Sequence, residues 1–113
     1  MNQVTSEFSE NRQNDVYVGS RSEFGFHDYK VTAPGFEQSI HFQEGPVKEV
    51  GVNGVTNEDL IEVVMHRLHD FQMGPFKSVY NLYAISALNG ALQHLDKRTQ
   101  ERKQRGVEGT NVV

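Results

Sequence analysis

The Gly74-Pro75 dipeptide constrains this chain most, because helical periodicity runs up to it and resumes just beyond it. Upstream, Thr56-Asn57-Glu58-Asp59 is a capping-box start with acidic groups where the helix dipole favours them. Leu60, Ile61, Val64, Met65 and Leu68 then recur on one helical face. Downstream, a second helix is expected from about Ser78 to Arg105, ended by Gly106 as a C′ residue. Its stripe is Asn81, Ala84, Ile85, Leu88, Ala91, Leu92 and Leu95. Two such helices across a short Gly-Pro turn make an antiparallel helical hairpin over residues 56–105.

The first half of the chain has a different texture. DVYVGS, HDYKVT, QSIHFQ and VKEVGV read as short strands separated by Pro34-Gly35 and Glu44-Gly45-Pro46. They predict a small antiparallel β region over 15–55, so the fold class is α+β. Residues 1–14 are polar apart from Phe8 and read as a disordered or loose arm. Residues 106–113 form a short tail, and 15–113 reads as one domain. The opening residues have no basic and apolar regions of a signal peptide, and no apolar run is long enough to span a membrane. Without cysteine, thiolate catalysis, disulfides and cysteine zinc sites are excluded.

The hairpin asks for more than one copy. At 1.5 Å per residue the first helix is about 24 Å long and the second about 42 Å, so the second overhangs. Val79, Leu82, Tyr83 and Ala87 lie off the main stripe, which leaves the front half of that helix apolar nearly all round. The overhang, KRTQERKQR, holds five basic groups and one acid, while residues 1–96 hold six basic and thirteen acidic groups. An acidic body with one basic end is a poor general nucleic-acid binder, since duplex affinity rests on many distributed phosphate contacts. It suits a local anion site or a homo-oligomer.

Arg98, Arg102 and Arg105 follow i, i+4, i+7 spacing, and guanidinium forks suit phosphate and base recognition. Set against that is a solvated last turn whose cations complement the dipole. Asn81 either satisfies the hairpin turn or reads a nucleobase edge. Phe71 is either a core plug or a stacking platform. The turn brings Phe71 and Asn81 together, whereas Arg98 and Arg102 lie about 25 and 31 Å further along the same helix. One small ligand reaches both sets only between subunits. His66, His69, Glu62 and Asp70 lie opposite the stripe without a metal-binding pattern, so no metal site and no catalytic residues are assigned. Gly51-Val52-Asn53-Gly54 reads as a turn rather than a phosphate nest.

In FQEGPVKEVGVNGVTNEDLIEVVMHRLHDFQ, then GPF, Asn81 and LDKRTQERKQRGVEGT, the chain resembles the Thoeris anti-defence protein one family of phages. That family is related through its helical hairpin to the anti-CBASS protein two family. The resemblance covers about residues 40–111. It implies a cofactor-free sponge in the cytoplasm of the infected bacterium, holding glycocyclic ADP-ribose without cleaving it. It also implies cyclic oligonucleotide binding at separate sites, and a hexamer built from dimers. By motif, Phe71 would stack on adenine, Asn81 would hydrogen-bond the ligand, and Arg98 and Arg102 would clamp the pyrophosphate. Arg105 is an additional ligand or interface residue. Asn89-Gly90 departs from the family pattern, where a stronger helix-forming pair is expected. Competing readings are a nucleic-acid or partner-binding phage module using the basic helix end, and a hydrolase using the His66, His69 and Asp70 face.

Overall fold

A computed structural model describes residues 1–113, which divide into two compact units, Met1–Val55 and Thr56–Val113. The first unit is a four-stranded antiparallel sheet in the order β1 (Asn2–Val4), β2 (Asp15–Val18), β3 (Asp28–Ala33), β4 (Phe36–His41). β3 and β4 pair from Asp28↔His41 to Ala33↔Phe36, which leaves Pro34-Gly35 as the hairpin turn. Across that pair His41 Nδ1 meets Asp28 Oδ1 at 2.6 Å. Sheet followed by helices is the α+β order read from the sequence.

Two expectations for this unit are corrected. The arm at 1–14 is not loose: β1 pairs with β2 from Asn2↔Val18 to Val4↔Val16, and a 3-10 turn follows at Ser9–Asn11. Its three residues are polar or exposed, so the strand owes its existence to the β2 edge and not to a local pattern. VKEVGV is not a strand. Val47–Val50 forms the short helix α1 behind Pro46, where proline's fixed φ suits a helix start. Val55 is bonded instead to the end of β4, its N–H donating to the His41 carbonyl at 3.0 Å and its carbonyl accepting from Gln43 N at 2.9 Å.

The apolar core of this unit is thin: Val18, 9% exposed, and Pro46 are its buried apolar side chains. Polar ties take up the work in the 43–54 loop. Asn53 Oδ1 accepts from Glu44 N at 2.8 Å while its Nδ2 donates to the Glu44 carbonyl at 2.7 Å. Gln43 answers, accepting from Asn53 N at 2.9 Å and donating to the Gly51 carbonyl at 2.8 Å. Gly54 permits the close approach this needs, since a Cβ there would sit 2.5 Å from the Phe42 carbonyl carbon. GVNG is therefore a loop held by side chains.

The second unit is the hairpin. α2 (Asn57–Gln72) starts on a complete capping box: Thr56 Oγ1 accepts from Asp59 N at 3.1 Å and Asp59 Oδ2 accepts from Thr56 N at 2.9 Å. α3 (Val79–Gln104) is capped by Ser78, whose Oγ accepts from Tyr80 N at 3.1 Å. The α3 stripe expected from Asn81 to Leu95 is the half-buried face, and Thr99 and Arg102 continue it. Val64, expected on the α2 stripe, is instead 47% exposed, because α3 covers the Ile61–Met65–Leu68 line beside it. On the outer side of α3, Tyr80, Leu82 and Tyr83 are 76%, 52% and 64% exposed. This helix is apolar on a side that its own hairpin leaves open. No helix is long and apolar enough to cross a membrane.

Candidate functional site

The sequence-derived residues fall into two groups at opposite ends of α3. At the turn, α2 ends at Gln72 and Gly74 N donates back to the Phe71 carbonyl at 3.2 Å, which reverses the chain. Phe71 is half-buried, with the Phe76 ring tilted against it at 5.8 Å between centroids. The Arg67 guanidinium lies over the same ring, 4.9 Å from its centroid. Asn81 does satisfy the turn: its Nδ2 donates to Gln72 Oε1 at 2.9 Å and to the Phe76 carbonyl at 3.1 Å. Gln72 Oε1 also accepts from Ser78 N at 2.8 Å, so one glutamine oxygen gathers both strands of the turn. Of the Asn81 amide only Oδ1 is left open, an acceptor.

At the far end the arginines divide. Arg98 is exposed and makes no hydrogen bond or ion pair within the chain. Arg102 is 8% exposed and is the one charged side chain that is buried. Its Nη2 donates to the carbonyls of Val107 and Thr110 at 3.0 and 3.2 Å, and its Nη1 to that of Val112 at 2.8 Å. Glu108 Oε2 stands 3.2 Å from Arg102 Nε, a charge contact without the alignment of a hydrogen bond. Arg105 is held by Glu101 one turn back, at 2.6 Å, and by the Val113 carbonyl at 3.0 Å.

This corrects the expectation that the basic overhang lacks partners within its own chain. Gly106 and Gly109, at φ 73° and 80°, occupy the left-handed region open to glycine and turn residues 107–113 back over α3. Arg102 is the post around which they wrap. Of its five N–H donors three are hydrogen-bonded, the Nε–H faces Glu108 without bonding it, and one on Nη1 remains uncommitted. A free bidentate fork exists at Arg98, not at Arg102.

Sequence reasoning passed over Arg67 and Gln72. Arg67 lies on the side of α2 set aside as solvent-facing, and its i, i+4 spacing to Phe71 was the available signal. The His66 and His69 side chains, with Asp59, Glu62, Val63, Met65 and Leu92, line an open groove of about 740 Å³. Two carboxylates face that groove, which disfavours an anion there.

No protein-family model matches the chain. Over 90 residues it is 50% identical to Thoeris anti-defense 1 of Bacillus phage SBSphiJ7. The chain resembles the Thoeris anti-defence 1 family. The alignment takes in 77% of this chain and 63% of that relative, so the chain spans just under two thirds of the relative's length. In this chain the RTQERKQRGVEGT ending is a folded unit, the last turns of α3 with the tail that wraps Arg102. The motif's arginines therefore divide between building that unit and remaining available beside it.

Proposed function

We propose that this protein is a phage anti-defence sponge, binding glycocyclic ADP-ribose and holding it intact so that Thoeris signalling stops. The 50% identity to a protein named for Thoeris anti-defence carries the reading. The site residues fit it by chemistry. Phe71 offers a ring for adenine, Asn81 Oδ1 accepts a hydrogen bond from the base or ribose, and the Arg98 fork takes the pyrophosphate. Arg102 adds its one uncommitted Nη1–H from beside the tail. The two ends of the site are about 25 Å apart along α3, so a single ligand is shared by two antiparallel copies. The exposed Tyr80, Leu82 and Tyr83 face supports such an assembly, a hexamer built from dimers. Cyclic oligonucleotides are a second ligand class, and neither metal nor cofactor takes part.

The deciding experiment is incubation with a panel of cyclic ADP-ribose isomers and cyclic oligonucleotides, then heat release and chromatography. Recovery of unchanged glycocyclic ADP-ribose is expected, and recovery of a cleaved product overturns the sponge. Light scattering without ligand is expected to show an oligomer. A monomer at micromolar concentration overturns the shared site.

A further inference from the structure

Arg67 is exposed, and its guanidinium rests on an aromatic ring although an acid is within reach of its helix position. Asp70 lies three residues on, a spacing at which opposite charges pair readily, yet no ion pair forms. The guanidinium makes no hydrogen bond either, so its five donors are uncommitted while its carbon stands 4.9 Å over the Phe71 ring. Arg102 and Arg105, by contrast, are committed to carbonyls and carboxylates. Phe76 already leans on Phe71 at 5.8 Å, so Arg67 occupies ring surface that an incoming base needs.

We propose that Arg67 is a ligand-contacting residue, the outer wall of a base slot whose inner wall is Phe71. This rests on the reading of Phe71 as the adenine platform. The base enters between ring and guanidinium, and the long side chain opens by about one ring thickness to admit it. A nucleobase has two faces, and a planar, weakly hydrated guanidinium stacks on the second one as the ring stacks on the first. Stacking leaves the N–H edge of Arg67 free, so the same group donates to the ligand's phosphate oxygens. The start of α3 adds positive potential on this side of the turn.

Titration calorimetry with glycocyclic ADP-ribose on the full chain tests the slot through Arg67→Ala, Arg67→Lys and Phe71→Ala. Arg67→Ala is expected to weaken binding about ten- to a hundredfold, the scale of one lost stacking partner. Arg67→Lys keeps the charge, loses the plane, and is expected to fall between parent and Arg67→Ala. The melting temperature of the unliganded variants at Arg67 is expected to match the parent, which separates contact from folding. Parental or tighter binding by Arg67→Ala, with Phe71→Ala weakened, makes Arg67 a mere cover and overturns the proposal alone. Parental binding by Phe71→Ala overturns the platform reading and the slot together.

Discussion

The two ends of the hairpin use polar side chains on one helix face in opposite ways. At the turn, Asn81 spends both amide donors on Gln72 and Phe76 and keeps an acceptor open. At the far end Arg102 is buried in its own tail, and the available group is its neighbour Arg98, one turn back and exposed. Position on the stripe does not decide whether a polar residue builds or binds; what covers it does. The turn end is covered by a loop of a few residues, and the far end by a tail that two left-handed glycines reverse.

The largest effect is expected from Arg102→Ala. It strands the carbonyls of Val107, Thr110 and Val112 and leaves Glu108 without its counter-charge. Breaking such a buried set costs about 3 kcal/mol, less than a fully enclosed pair because Glu108 is partly exposed. Urea unfolding measures it, and a loss within error of zero breaks the comparison by making the tail ornamental.

Asn81 is the counterpart at the turn. Asn81→Ala is expected to cost about 1–2 kcal/mol through its two lost hydrogen bonds. Asn81→Asp costs more than Ala, because a carboxylate oxygen then faces the Gln72 and Phe76 oxygens that the amide donated to. If Asp and Ala unfold at the same denaturant concentration, the turn does not depend on that amide.

Between the ends, Gly90→Ala is expected to stabilise the isolated fold by up to about 1 kcal/mol. α3 passes through Gly90 unbroken, and an added Cβ meets no atom within 4 Å. If the variant melts lower and its oligomer dissociates, a second copy approaches there. The smallest stability effect belongs to Arg98→Ala, within about 0.5 kcal/mol, since the side chain is exposed and makes no hydrogen bond or ion pair in its own chain. Under the proposed function its binding of glycocyclic ADP-ribose is nonetheless expected to fall, read by the loss of ligand-induced thermal stabilisation. Lys103→Ala, exposed nearby, serves as the charge control.

Most of the hairpin was legible because its signals are local. Thr56 and Asp59 cap within four residues of each other, Ser78 and Gly106 mark the ends of α3, and the stripe repeats often enough to fix its face. β1 was not legible, since Asn2–Val4 becomes a strand only beside β2. VKEVGV misled because Val50 and Val52 alternate across Gly51 as a strand would, while Val47 and Val50 have helical spacing and Pro46 favours the helix. Of the candidate site, Phe71 and Asn81 were brought together as expected from the turn. The engagement of Arg102 was hidden, because its partners are backbone carbonyls and no sequence pattern marks a carbonyl.

The Asn53 loop carries a chemical clock. Asparagine before glycine cyclises and deamidates readily, because glycine does not obstruct attack of the next backbone nitrogen on the side-chain carbonyl. In Asn53-Gly54 that side chain is pinned at both ends by Glu44, so the folded loop withholds the geometry that cyclisation needs. Once the loop opens and the amide becomes a carboxylate, an acceptor faces the Glu44 carbonyl that Nδ2 had donated to, and the loop does not close as before. Asn89-Gly90, inside α3, has the same dipeptide with its backbone fixed in a helix. Stored protein therefore ages first at Asn53, and the rate at which it gains acidic charge records how often that loop comes undone.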